Sequence, residues 1–390
     1  MTLESLRPEV VLGAAVEHTG LTDFGGRSFT AGLSIYLDDL RGEARLNAAG
    51  IVGQFQDLVR LLSNRLRFQR DLKAHPEIRD EQIAKPIVIL GLPRTGSSKL
   101  QRMIAADPDA QRLEVWRLLF PAPFSADANA GPDPRIKLAE QFESTLRAHE
   151  PEFMARHPME AHEPDEEVWL IEMTHESPMS SLKTRAPAHR AFTEGRSQRG
   201  VYDYLRNLLQ YLQWQDGGGR GRPWILKSPI HIGELPTLFA TFPDAMVVHC
   251  HRNPRIAIPS YASLGEVAHV MHSDDVDLHE LGHDANQFWA RQIERNLTVR
   301  RELGEDRIVD VYYEYIRDRP LAVIEEIYAR AGRAVTPAAR YAFERYDAHR
   351  PQDFFGKHEY SKERYGLTDA HIEKAFANYL SRFPRVNANG

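Results

Sequence analysis

After Pro86 the chain runs Ile87-Val88-Ile89-Leu90-Gly91 without a polar side chain. It then turns through Leu92-Pro93-Arg94-Thr95-Gly96-Ser97-Ser98 and continues as Lys99-Leu100-Gln101-Arg102-Met103-Ile104. An unbroken apolar run of this length fits a strand covered on both faces, and such strands belong to parallel sheets. Leu100, Met103 and Ile104 then recur at helical spacing. A strand that enters a helix through a glycine-bearing turn aims backbone N–H groups and the positive end of the helix dipole at one point. That point suits a phosphate.

The same strand signal recurs at Trp224-Ile225-Leu226, Met246-Val247-Val248 and Ile308-Val309-Asp310-Val311. Helical stretches separate these runs. Between Ser34 and Arg70 the residues Leu40, Leu46, Ile51, Phe55, Leu58, Val59, Leu62 and Leu66 recur at steps suited to a helix. Residues 187–215 repeat the pattern with Tyr202, Leu205, Leu208, Leu209 and Leu212, closed by Gly217-Gly218-Gly219. Residues 121–134, rich in Pro, Ala, Gly and Asp, read as a loop or lid. Strands alternating with helices predict an α/β fold with a parallel sheet flanked by helices. An N-terminal helical layer over 1–80 precedes the α/β body over 81–390. Ligands of such sheets sit at the carboxyl ends of the strands.

Those ends are polar. Lys227-Ser228-Pro229-Ile230-His231 follows one strand. His249-Cys250-His251-Arg252-Asn253-Pro254 closes a second, and Tyr312-Tyr313-Glu314 a third. Together with Arg94 they predict an anion-binding cleft with an aromatic wall. The spacing from Gly91 to Gly96 is that of a Walker A loop, where Lys and then Ser or Thr should follow. Ser97 and Ser98 stand there instead, and Arg94 supplies a cation on the other side of the glycine. The loop reads as built for one terminal phosphate and not for a triphosphate with magnesium. A P-loop kinase or NTPase is therefore an alternative only. A second alternative is a zinc peptidase through His279-Glu280-Leu281-Gly282-His283, which no third ligand follows at a diagnostic spacing.

Composition narrows the field further. Of 390 residues 42% are hydrophobic and 27% charged, enough to bury a large core. A net charge of −6 argues against a nucleic-acid or anionic-membrane binder. Cys250 is the one cysteine, so there is no disulfide framework, which fits a reducing compartment. Neither a leader-like N-terminus nor an apolar run of roughly 20 residues is present. The expectation is a cytoplasmic protein without a membrane span; a monomer and an oligomer both stay open.

Taken together, these residues resemble the sulfotransferases that use 3′-phosphoadenosine 5′-phosphosulfate (PAPS), and their bacterial branch in particular. That family has a Pro-[Lys/Arg]-[Ser/Thr]-Gly-[Ser/Thr]-[Ser/Thr] loop after a strand; here it is Pro93-Arg94-Thr95-Gly96-Ser97-Ser98. A second strand ends in Arg-[Asn/Asp]-Pro with a serine eight residues after the arginine; here these are Arg252-Asn253-Pro254 and Ser260. Tyr313-Glu314 and the later Gly356-Lys357-His358-Glu359-Tyr360-Ser361 extend the match over nearly the whole chain.

The resemblance implies a P-loop NTPase-like sheet and transfer of a sulfuryl group from PAPS to a hydroxyl of a small acceptor, releasing PAP, with no metal required. It implies that Arg94, Thr95, Gly96, Ser97 and Ser98 hold the 5′-phosphosulfate. Arg252 and Ser260, with Lys357 or His358, would hold the 3′-phosphate, and Tyr313 would lie near the adenine. By analogy with Lys-x-Pro branches, Lys227 would stabilise the bridging oxygen. Glu114, twenty residues after Arg94, would be the general base, with His231 the second candidate. The acidic run Glu163-Pro164-Asp165-Glu166-Glu167 reads first as a helix start, with Glu166 facing the acceptor pocket as the functional alternative. Phe120, Phe124, Trp169 and Tyr261 hint at an apolar or aromatic alcohol, and a lipid or carbohydrate stays open.

Overall fold

The computed structural model describes residues 1–125, 132–219, 221–350 and 360–387. Its centre is a four-stranded sheet of β1 (Ile87–Gly91), β2 (Ile225–Lys227), β3 (Met246–His251) and β4 (Ile308–Tyr312), in the order β2-β1-β3-β4. All three pairings are parallel. Because side chains alternate across a strand, the apolar run of β1 divides between two cores. Val88 and Leu90 join Leu226, Val247 and the helices on one face. Ile87 and Ile89 join Val248, Val309, Val311 and the helix Ser97–Ile104 on the other. The expected parallel α/β sheet with helices on both faces is what forms.

Two predicted helical stretches are each split. Ser34–Arg70 becomes Phe29–Gly42 and Ala48–Ala74. Arg45 breaks the run at a φ of 51°, and Asn47 starts the next helix by accepting from the Gly50 N–H. Residues 187–215 become Pro187–Glu194 and Arg199–Gln215. Within the predicted loop at 121–134, residues 126–131 lie outside the described residues, and the helix Pro134–His149 begins at its end, capped by Asp133.

The N-terminal layer has a core of its own, in which Leu6, Leu33, Leu37, Leu58, Leu62 and Leu66 meet. The helix Ala48–Ala74 also sends Leu61, Phe68 and Leu72 into the main core. One amphipathic helix thus ties the layer to the body. Gly282 sits inside the helix Leu278–Leu303 because a Cβ there would lie 2.3 Å from the Tyr365 carbonyl oxygen. Among the described residues no helix is long and apolar enough to cross a membrane.

Four buried histidines, His175, His189, His249 and His251, are held below the ordinary imidazole range by burial, His175 down to about 3. Below about pH 6.5 the unfolded chain therefore binds more protons than the fold, and stability falls as pH falls. Each proton taken up costs about 1.4 kcal/mol per pH unit. The melting temperature should drop steadily from pH 7 to pH 5, with uptake of more than one proton on unfolding at pH 5.5. A flat profile would show that these imidazoles are not neutral in the fold.

Candidate active site

The turn after β1 is shaped by short-range chemistry. Gly91 has a φ of 149°, and a Cβ there would lie 2.3 Å from the Cys250 carbonyl oxygen of β3. Gly96 has a φ of 81° and precedes the helix; its Cβ would press on the Tyr313 ring at 3.1 Å. The buried Thr95 hydroxyl donates to the Leu92 carbonyl at 2.8 Å and so closes the turn instead of facing outward. The Leu100 N–H bonds to the Gly96 carbonyl, so the N–H groups of Ser97, Ser98 and Lys99 precede the helix's own ladder. Arg94 holds a φ of 70°, a left-handed conformation that costs on the order of 1–3 kcal/mol in a non-glycine residue.

Arg94 is fixed by its side chain. Its Nε donates to Ser260 Oγ at 3.2 Å and its Nη1 to the Arg156 carbonyl at 2.5 Å. Arg252 reaches across from the end of β3, and its Nη1 donates to the Arg94 carbonyl at 2.6 Å. Its guanidinium lies 3.9 Å from the centre of the Tyr313 ring. Asn253 accepts from the Arg255 N–H and Pro254 opens the helix Pro254–Val270. Arg252 just before that start and the buried Ser260 within the helix both reach Arg94. Burial, and then the nearby Arg252 charge, lower the Arg94 pKa from its ordinary value. Among the described residues no carboxylate forms an ion pair with Arg94 or Arg252. Four predicted residues, Arg94, Arg252, Ser260 and Tyr313, thus converge; Lys357 and His358 lie outside the described residues.

The Lys227 ammonium at the end of β2 is almost fully buried, paired with Glu166 and 3.9 Å from Asp165. Ser228 Oγ also donates to Glu166, at 3.3 Å, and the Lys227 N–H to Glu167 at 2.9 Å. Asp165 bonds His157 at 2.9 Å. Burial alone would raise the Asp165 pKa, but His157, Lys227 and Arg102 hold it well below the usual carboxylate range. The acidic run therefore holds Lys227 and two histidines and is not a helix cap: Glu167 precedes the helix Val168–Ile171 without a side-chain capping bond.

Two candidate bases lie away from the cavity. His231 has a fully buried side chain, clamped between the Tyr202 hydroxyl at 2.6 Å and Glu167 at 2.5 Å. An acceptor hydroxyl cannot reach it. Glu114 pairs with Arg112 at 2.9 Å and is absent from the wall of the cavity beside Lys227. Glu166 does line that cavity, which has a volume of about 400 Å³ and runs from Pro93 and Pro229 to Asp57 and Lys183. Only the adjacency of Glu166 to two further acids marked it in the sequence.

The rival motifs do not assemble. Ser97, not Lys, follows Gly96, and the next lysine, Lys99, pairs with Asp347 at 2.7 Å. His279 and His283 lie exposed on the helix Leu278–Leu303, and Glu280, the would-be base, is held by Arg185 at 2.9 Å. His249, His251 and Asp310 have ligand atoms within 4.8 Å of one another. The Arg300 guanidinium fills that cluster, with both terminal nitrogens 2.8 Å from Asp310 and one 3.2 Å from His249. It is an ion pair tying the helix Leu278–Leu303 to β4, with His249 of β3 beside it. Burial pushes the Cys250 thiol up to about 12, so it is no nucleophile.

The chain is similar to two mycobacterial proteins of known structure. Sulfotransferase STF9 from Mycobacterium avium superposes with a TM-score of 0.87 at 24% identity, covering 97% of each chain. Sulfotransferase STF1 from Mycobacterium tuberculosis H37Rv gives 0.80 at 28% identity, covering 95% of this chain and 98% of that one. No curated protein matches the sequence. A sequence model of the sulfotransferase family matches residues 86–337, a span that holds the turn after β1, Lys227, Arg252 and Tyr313. By that match and by its fold, the chain belongs to the sulfotransferase family.

Proposed function

We propose that the protein transfers the sulfuryl group of PAPS to a hydroxyl of a small acceptor and releases PAP. The observation that carries this is the pair of guanidiniums, Arg94 and Arg252, held together with no carboxylate partner among the described residues. PAPS offers an anion at each of two places, and two clamps answer them. The turn N–H groups with Arg94, Ser97 and Ser98 would take the 5′ end. Arg252 and Ser260 would take the 3′-phosphate, with Lys357 or His358 as further contacts, and Tyr313 would lie near the base.

In this reading Glu166 is the general base. It lies where the cavity meets Lys227, with its carboxylate on the Lys227 ammonium. The acceptor oxygen forms a bond to sulfur as its proton passes to Glu166. The bond from sulfur to the bridging oxygen breaks, and PAP leaves with the electron pair. Lys227 then shifts its charge from Glu166 toward that oxygen. The helical layer supplies Gly53, Gln56, Asp57 and Arg60 to the acceptor side.

Arg252→Ala should weaken PAP binding about 10–100-fold, the value of charge-assisted hydrogen bonds of about 1.5–3 kcal/mol. Calorimetry of the folded variant measures it, and unchanged affinity would remove Arg252 from the donor site. Glu166→Gln should keep PAP affinity and lose about 10²–10⁴ in turnover. Glu114→Gln should keep both; if it alone loses turnover, Glu114 is the base.

A further inference from the structure

We infer that the acceptor is a neutral, lipophilic alcohol and not a sugar or an anion. This rests on the sulfuryl-transfer reading. The cavity beside Glu166 falls in the range of about 300–1,000 Å³ that encloses drug-sized ligands. Its walls are mostly hydrocarbon and aromatic, with Leu119, Phe153, Val168, Trp169, Leu264 and Met271 among them. A ligand bearing many hydroxyls would leave each one facing these groups without a partner, and every such buried group weakens binding several-fold or more.

The charged groups on the wall are already committed to one another. Lys183 Nζ lies 2.8 Å from Asp57 and 2.7 Å from Glu172. Arg60 donates to Asp57 at 3.1 Å and to the Leu119 carbonyl at 2.9 Å. His157 is held by Asp165, and burial disfavours the cationic form of His272. Among the described residues the wall carries three carboxylates, of Asp57, Glu166 and Glu172, against the two cations Arg60 and Lys183. Among those residues no cation is left over for a carboxylate or phosphate on the acceptor, while the carboxylates would repel it. What the cavity accepts is hydrocarbon, with one hydroxyl delivered to Glu166 at the end near Pro93.

The test compares three alcohols with labelled PAPS and the full-length protein. They are 1-dodecanol, 12-hydroxydodecanoate, which adds one carboxylate to the same chain, and methyl glucoside. The expected kcat/KM for 1-dodecanol is at least 100-fold above both others. Ala268→Phe, which fills the cavity from the helix that bears Ser260, should cut it at least tenfold with PAP affinity unchanged. The inference is overturned if the glucoside or the hydroxyacid is the better acceptor, or if 1-dodecanol is not sulfated by protein that binds PAP. It is equally overturned if a folded Ala268→Phe protein turns 1-dodecanol over at the wild-type rate. Failure of the wild-type protein to bind PAP instead removes the sulfuryl-transfer reading beneath it.

Discussion

Two guanidinium groups drawn together without a counter-charge among the described residues are the constraint around which this molecule is arranged. Like charges at this distance repel, and burial adds to the cost of the Arg94 charge. The fold holds them with neutral groups: the Tyr313 ring under Arg252, the Arg94 carbonyl, the Arg156 carbonyl and the Ser260 hydroxyl. The sheet order is what brings them near. β1 and β3 are neighbours, so the turn after one and the arginine after the other share the point where the strand order reverses. Gly91 lets the two strand ends touch there. An anion between the guanidiniums would relieve the repulsion, which makes the cleft a stored preference for negative charge in a chain whose net charge is −6.

A short distance away the opposite rule holds. Around Lys227, among the described residues, the row Asp165-Glu166-Glu167 distributes its carboxylates over His157, Lys227 and His231. Buried pairs of this sort contribute little net stability, but removing one partner is costly. Their value is positional: a lysine with nowhere else to go stays at the end of β2, and its carboxylate partner stays at the cavity. In the proposed reading, the contrast between an uncompensated cleft and a compensated wall separates the donor side from the acceptor side.

Much of this was legible along the chain because it is local. The β1 strand, its turn, the helix after it and the Arg252-Asn253-Pro254 start each depend on residues within a few positions, and they form as expected. The helix break at Arg45 was not legible, since Ala44 and Leu46 carry the apolar pattern across it, whereas the break at Gly195 falls in residues 193–200, which have no apolar side chain. Glu166 was the hardest to single out. Its partner Lys227 is 61 residues away, and nothing in an acidic run tells which carboxylate will face a cavity lined by many separate helical segments. Glu114 and His231 had suitable spacing but the wrong surroundings: one is taken by Arg112, the other sealed by Tyr202 and Glu167. Spacing encodes where a residue sits on its own element and not which distant charge claims it.

The central claim is a clamp for each end of the donor, and the 3′-phosphate isolates one of them. Calorimetric titration of the protein with PAP and with 5′-AMP, which lacks that phosphate, compares the two ligands directly. Two charge-assisted contacts of about 1.5–3 kcal/mol each predict PAP binding at least 100-fold tighter than 5′-AMP. Equal affinities, or no association with either nucleotide, would contradict the account.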